Sequence, residues 1–572
     1  MNQSNQNVLK PQKKLNNSQL DSAVKLFENT SIFKALLRVV FLAVIVSFCS
    51  GLYVFADQVL MQKVLPLNTD YVNNTLNSIG YFNDGLQTEI QNSAQNIKDI
   101  YGTNNGVINE ITRLVNAGNS PITVFCTAIS LLTGLGSAIV YSKALGFKDE
   151  KQIRDIWKNS FYNCLFFSII STLIVLGLIY AIIPAEISNK GDPNSSQVVS
   201  DFIVRLQNKA REYAIGYCLI IVIFNLFNNY TIYYVSLLNS EGKNIIPTIV
   251  VLISNGVNIL LDWVLLRYSG VLGIYGSAVA TIISYVFSVI LFTGYLSYKN
   301  FKNQTFMIYK NLFLKNEKLN LKMILYINGT GVASFFRNAS TAIYSIVQLS
   351  IFASITYTLT HYPATYFTSI MGAVTPIYNL FFSAMIGILR GARTVISYNH
   401  GRGLTKNIYK AFWISTIMSF GYGLIFFVIG GPLLTSGSYA NGGMLALFNI
   451  FPGNANYWDA VRLLNINMSQ LLFYAFIISG MLYFQSVAKN YNALFTSILY
   501  GIILGVPLLY IISAIAVSAN SIDIYIYAPI IISFLAGLIT FGYTLWYLYL
   551  KKPSSKIKMK KIKIKKDTIH NS

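Results

Sequence analysis

Gly136-Ser-Ala-Ile-Val-Tyr-Ser-Lys-Ala-Leu-Gly146 and Gly391-Ala-Arg-Thr-Val-Ile-Ser-Tyr-Asn-His-Gly401 read as two copies of one segment. At a constant offset of 255 they match at Gly136/Gly391, Val140/Val395, Ser142/Ser397 and Gly146/Gly401, then at Lys151/Lys406 and Ile153/Ile408. A second echo pairs Ser240-Glu-Gly-Lys-Asn244 with Ser486-Val-Ala-Lys-Asn490 at an offset of 246, a difference that loop lengths absorb. The first pair closes the second and eighth apolar runs of the chain, and the second pair closes the fourth and tenth. Partners six runs apart point the same way across a membrane. The chain therefore reads as two six-helix halves of parallel topology, related by an axis along the membrane normal. Such a duplication predicts a central cavity between the halves and alternating access.

The runs themselves are membrane spans. Of 572 residues, 54% are hydrophobic and 11% charged, against about 25% charged in soluble domains. Ile169 to Ile183, Tyr213 to Ser240 and Gly501 to Ile522 carry no charge. A helix of about 20 apolar residues crosses a bilayer, and no period-two alternation suggests barrel strands. Twelve spans follow: 34–62, 120–144, 156–184, 211–239, 245–267, 271–298, 323–357, 364–399, 408–434, 460–488, 493–517 and 524–550.

The charge distribution orients them. The net charge of +22 does not point to nucleic acid, because nine lysines sit between Lys551 and Lys566 and most other cations lie in loops. The 143–158 loop carries Lys143, Lys148, Lys151, Arg154 and Lys158, and the 299–322 loop carries six lysines. Residues 358–363 and 435–459 carry no Lys or Arg. The basic loops are cytoplasmic by the positive-inside rule, and an even span count puts both termini there. The expected organisation is a disordered cytoplasmic tail at 1–33, a six-helix lobe at 34–298, a cytoplasmic linker at 299–322, a second lobe at 323–550 and a lysine-rich cytoplasmic tail at 551–572. Residues 67–119 form a long polar extracellular loop within the first lobe, either a cap on the outer mouth or a tolerated surface insertion.

Ionisable residues inside a span are functional candidates. Asp57 and Asp262 lie near the outer ends of the first and fifth spans, and Thr281 lies at similar depth in the sixth. Asn255, Asn258 and Asp262 fall at i, i+3 and i+7 and share one helical face. Oxygen ligands at one depth suit a proton or a hard cation such as sodium, with Asp57 and Asp262 as the charged ligands. Desolvation and a neighbouring carboxylate both disfavour a charged carboxyl. The alternative is that each Asp caps a helix end or reaches the interface. The second half has no acid well inside a span. It has Arg337 near the middle of the seventh span, placed to contact an anionic substrate group or to lock the halves together. Arg390 and Arg393, late in the eighth span, are expected to reach the cytoplasmic surface.

Other chemistry has no support. Cys49, Cys126, Cys164 and Cys218 lie in apolar runs without a CxxC pair. His361, His400 and His570 have no partner at metal spacing. There is no Walker A motif and no GxSxG elbow.

These residues resemble the multidrug and toxic compound extrusion (MATE) transporters, in particular a DinF-like branch. The resemblance covers most of residues 33–550. It is carried by Ala56-Asp57-Gln58; by Gly136 to Gly146 with Lys148-Asp149-Glu150; by Asn258-Ile-Leu-Leu-Asp262; by Gly273-Ile-Tyr-Gly276-Ser-Ala-Val-Ala-Thr281; and by Gly387-Ile-Leu-Arg-Gly391 followed by Ile396-Ser-Tyr398-Asn399-His-Gly401. It implies a secondary active exporter of organic, often cationic, compounds in exchange for protons or sodium. It implies no cofactor beyond the coupling ion, and a cation site of Asp57, Asn258, Asp262 and Thr281. A small-molecule substrate, the lipid bilayer of the plasma membrane, no nucleic acid and a monomeric state complete the expectation, with Asn255 and Arg337 lining the substrate cavity. Departures from the family pattern are Ala56 before Asp57, Trp263 after Asp262 and the long 67–119 insertion. The nearest rival is a lipid-linked oligosaccharide flippase of the same superfamily, which would favour a basic cavity. A membrane-embedded enzyme would need an intramembrane nucleophile cluster.

Overall fold

The computed structural model describes residues 30–550 except 84, 148, 303, 313–318, 361 and 431–441. Residues 1–29 of the expected N-terminal tail, the whole lysine-rich tail, part of the 299–322 linker and His361 lie outside the described residues.

Among the described residues the fold is helical and without strands. The first half contains α1 (Ile32–Lys63), the short helices α2 (Thr69–Ser78), α3 (Leu86–Asn92) and α4 (Gln95–Tyr101), then α5 (Asn104–Phe147), α6 (Glu150–Glu186), α7 (Gln197–Ile223), α8 (Asn225–Ser240), α9 (Ile245–Tyr268) and α10 (Tyr275–Phe301). The second half contains α11 (Leu321–Leu359), α12 (Tyr366–Gly401), α13 (Thr405–Ile425), α14 (Tyr457–Ser486), α15 (Asn490–Ile498), α16 (Val506–Ser518), α17 (Asp523–Ile526) and α18 (Ala528–Tyr549). Eleven segments among the described residues are long and apolar enough to cross a membrane, and α7 with α8, bent by 52°, makes a twelfth. A π-helical stretch, Leu499–Gly505, joins α15 to α16 within one span.

Local chemistry starts these helices where they start. The Ser31 side chain accepts from the Lys34 backbone N–H at 3.4 Å and begins α1. Asp149 accepts from Gln152 at 3.0 Å and Asn320 from Met323 at 3.2 Å, capping α6 and α11. Large aliphatic side chains such as Leu173, Ile290, Ile417 and Leu538 stay exposed. An apolar surface of this extent fits acyl chains.

The duplication is written into the geometry. Pro121 inside α5 and Pro376 inside α12 are separated by the same 255 residues as the glycine segments. After α8, Gly242 has φ 75°, and after α14 its counterpart Ala488 has φ 54°. The Lys243 N–H bonds to Leu238 O at 3.0 Å, and the Lys489 N–H to Phe484 O at 2.9 Å. Both helices thus end in the same left-handed cap, although the second copy has lost the glycine that the conformation favours. Ala488→Gly should therefore raise stability by about 1 kcal/mol, read as an increase in thermal unfolding midpoint; a decrease would mean that Ala488 packs productively.

The halves meet through equivalent pairs: α1 packs on α12 and α5 on α11. A Cβ on Gly391 would lie 2.7 Å from Val40 Cα, and one on Gly136 would lie 2.5 Å from Ile327 O. Gly146 and Gly401 touch each other: a Cβ on Gly146 would lie 3.3 Å from Gly401 Cα, and one on Gly401 3.4 Å from Gly146 Cα. Equivalent residues can meet only on the axis that relates the copies. These contacts close the halves on the face where α1 begins and α12 ends.

The opposite face is closed by the 67–119 stretch. It is largely helical rather than an irregular loop, and α5 begins at Asn104, well before the expected start of its span at residue 120. At 44 residues α5 is about 66 Å long, twice the hydrocarbon thickness. Val107, Ile108, Ile111, Leu114 and Val115 form a buried stripe on this extension, at helical spacing that the surrounding Asn and Gly residues mask. The extension also carries an ion pair, Arg113 Nη2 to Glu110 Oε2 at 2.9 Å, with both side chains buried. Ser369 Oγ of α12 donates to the same Glu110 oxygen at 2.6 Å, and Gly372 packs directly on the Arg113 carbonyl.

Candidate ion-coupling site and central cavity

Four helices of the first half bring their polar residues to one point. Asp57 comes from α1, Tyr217 from α7, Asn258 and Asp262 from α9, and Ser277 and Thr281 from α10; all are buried. Ser277 Oγ donates to Asp57 Oδ1, and the Tyr217 hydroxyl donates to Asp57 Oδ2 at 3.4 Å. The Asp57 and Asp262 carboxyls lie within hydrogen-bonding reach of each other. With its amide turned to satisfy both ends, Asn258 donates to Asp262 Oδ2 at 3.3 Å and accepts from the Thr281 N–H at 3.2 Å. The four residues expected at the cation site therefore do converge.

Ser277 and Tyr217 complete the group and were not singled out in the sequence. Ser277 could have been, since it sits four residues before Thr281 on the same face of α10. Tyr217 carries no such signal, because it comes from a different helix with no spacing relation to either Asp. Glu186, at the end of α6, was also passed over; its carboxyl is buried with no hydrogen-bond partner on either oxygen.

The site is all oxygen apart from the Asn258 amide nitrogen. Neither Asp57 nor Asp262 has a lysine or arginine within ion-pair distance among the described residues. Asp262 Oδ1 has no hydrogen-bond donor. Buried carboxylates without a cation are costly, so a proton or a hard metal cation fits the balance that the side chains leave. No cluster of three His, Cys, Asp or Glu residues exists among the described residues.

Between the halves lies a cavity of about 440 Å³. Asp57 and Thr281 reach its wall, while Asn258 and Asp262 sit behind them. Asn255, one helical turn from Asn258, also lines it and donates to Cys49 O at 2.8 Å. On the other side stand Arg337, Arg390 and Arg393. The expectation for Arg390 and Arg393 is overturned: they do not reach the surface but turn into the cavity. Arg393 is 3% exposed and is held by Gln485 Oε1 at 2.5 Å. The reason is positional. One face of α12 is packed against α1 by Gly387 and Gly391, so residues 390 and 393 are carried to the cavity side. Tyr378, Tyr474 and Tyr500 supply aromatic wall, the last from the π-helical stretch, a local feature frequent at functional sites.

Two six-helix halves around a polar cavity, with a buried carboxyl pair in one of them, make up a polytopic membrane protein. Comparison with known proteins shows what the chain resembles. The MatE family model matches residues 341–436. The multidrug export protein MepA of Staphylococcus aureus is 24% identical over 411 residues, covering 71% of this chain and 80% of MepA. An uncharacterised protein of Mycoplasmoides gallisepticum is 28% identical over 525 residues, covering 89% of this chain and 88% of its own. Among solved structures, the outward-facing conformation of a multidrug resistance MATE family transporter superposes with a TM-score of 0.67 at 15% identity, covering 95% of this chain and 100% of that one. A MOP superfamily transporter from Pyrococcus furiosus, described as having a binding pocket of reverse polarity that suggests a different function, superposes with a TM-score of 0.66 at 15% identity over 93% of this chain and 98% of that one. The chain thus shares the fold of solved MATE transporters, and it resembles the MatE family in sequence over residues 341–436.

Proposed function

We propose that this protein exports amphipathic organic compounds in exchange for protons or sodium, and that Asp57, Asp262, Asn258 and Thr281 bind the coupling ion. The observation that carries the reading is the Asp57–Asp262 pair, buried without a cationic side chain and open to the cavity through Asp57 alone. An ion arriving there changes the charge of the cavity wall, so substrate and ion act on the same surface. Alternating access then needs the two sets of contacts between the halves to break in turn. On one face these are the glycine contacts of Gly136, Gly146, Gly391 and Gly401. On the other they are Glu110–Ser369 and Arg113–Gly372, which makes the 67–119 segment a gate. In this reading the glycine contacts lie on the cytoplasmic face of the cell membrane with both termini, which the basic loops support. The exporter reading is preferred to a lipid-linked oligosaccharide flippase because it gives the carboxyl pair a role.

Transport of a fluorescent substrate into proteoliposomes, with a proton or a sodium gradient imposed separately, tests it. One gradient is expected to drive accumulation and the other not; accumulation that ignores both would end the coupled reading.

A further inference from the structure

The cavity has an uneven charge. Asp57 is the single carboxyl on its wall among the described residues, and Arg337, Arg390 and Arg393 are the cations. Arg337 and Arg393 are each 3% exposed. The hydrogen bonds that the three do make go to neutral acceptors: Arg337 Nε to Asn338 Oδ1 at 3.1 Å, Arg390 Nη1 to Ser47 Oγ at 3.4 Å, and Arg393 Nη2 to Gln485 Oε1. Arg337 Nη1, Arg390 Nε, and Arg393 Nε and Nη1 have no acceptor among the described residues. None of the three has a carboxylate at ion-pair distance among the described residues. Arg337 and Arg390 share the cavity wall with Arg393.

Like charges gathered in a desolvated place repel one another, and each buried donor without an acceptor adds cost. A structural role would ask for one arginine with a carboxylate, not three without. A guanidinium presents a planar fork of N–H donors that matches the oxygens of a phosphoryl or carboxyl group. Arg390 and Arg393 lie one turn apart on α12, and Arg337 approaches from α11, so the forks come from two directions. Tyr378, Phe382, Tyr474 and Tyr500 line the same half of the cavity and offer aromatic surface to an apolar body.

We propose that Arg337, Arg390 and Arg393 form a binding site for the oxyanion group, phosphoryl or carboxyl, of an amphipathic organic substrate. The proposal rests on the exporter reading for its biological direction, but the site itself is a matter of binding. It assigns the two halves different tasks, the cation in the first and the anionic end of the substrate in the second.

The test uses the purified full-length chain in neutral detergent, without any gradient, so that failure of ion coupling leaves the assay untouched. Two probes share a dansyl-hexyl body: one ends in phosphate, the other in trimethylammonium. Binding is read by dansyl fluorescence. The phosphate probe is expected to bind at least tenfold more tightly than the ammonium probe. Arg390→Gln and Arg393→Gln should each weaken the phosphate probe by about tenfold, the scale of one charge-assisted hydrogen bond, and leave the ammonium probe equal or tighter. Arg393→Lys should recover only part of the loss, since it keeps the charge but not the fork. A merely structural role would weaken both probes together and overturn the proposal. If the variants do not fold, the wild-type chain decides alone: greater thermal stabilisation by the phosphate probe upholds the site, and equal stabilisation by the two probes overturns it. Competition separates the sources of the anion. Displacement by hexyl phosphate indicates a water-soluble amphipath, and displacement only by phosphatidylglycerol in the micelle indicates a lipid headgroup. Either result upholds the site, and displacement by neither overturns it.

Discussion

Asp262→Asn proteoliposomes are expected to lose gradient-driven accumulation, by on the order of a hundredfold, the upper range of coupling between two sites. The substitution keeps the shape of the side chain and the acceptor that meets Asn258 at 3.3 Å. What it removes is the capacity to carry a charge or take up a proton. Because Asp262 is buried and has no cationic partner among the described residues, no ion pair is broken there, and the thermal unfolding midpoint should stay close to that of the wild type. Equilibration of substrate without a gradient should persist, since Asp262 does not line the cavity. Asp57→Asn should lose coupling as well, but it also alters the wall and should change substrate affinity. Full gradient-driven accumulation in Asp262→Asn would remove the ion site from α9.

The second large effect concerns the glycine contacts. Gly391→Leu places a side chain where a Cβ alone would come within 2.7 Å of Val40 Cα and 3.1 Å of Val39 O, both backbone atoms that cannot turn aside. Overpacking of this kind costs about 1–3 kcal/mol. Opening the halves on that face relieves the cost, whereas unfolding is not required to relieve it. A shift of about 2 kcal/mol changes the ratio of closed to open by roughly thirtyfold. Transport should fall by at least a similar factor, because the cycle needs both faces to close. In a chain whose four native cysteines are replaced, a cysteine at Ser397 should react faster with an impermeant maleimide in the Gly391→Leu background. Gly177→Leu is the control: nothing lies within 4 Å of its Cβ position on α6, and a helix-interior glycine is the less stable choice. Unchanged transport in Gly391→Leu would mean that the α1–α12 contact does not open and close.

The helical spans were legible because a bilayer leaves little freedom: uncharged runs such as Ile169 to Ile183 have one stable form there. The duplication was legible in Gly136/Gly391 and Gly146/Gly401, since close backbone approach tolerates no other residue type and so leaves a trace. Four of the six residues at the proposed ion site were legible for a similar reason. Asn258 and Asp262 share a helix face, and depth counting brought Asp57 and Thr281 level with them. The α5 extension was hidden because its buried stripe, Val107 to Val115, is interleaved with Asn and Arg and reads as a polar loop.

The sequence by itself determined that the chain is a membrane protein of two parallel six-helix halves whose acids well inside a span lie in the first half, because each of those properties depends on composition and on spacing along one helix. Only the tertiary structure decided which residues face one another. That Ser277 and Tyr217 hold Asp57, and that Arg390 and Arg393 turn into the cavity beside Arg337 rather than out to the surface, follow from how α1 seats on the glycine face of α12. The direction of a side chain is set by the neighbour that occupies the opposite face, and a neighbour more than three hundred residues away leaves no mark on the local pattern.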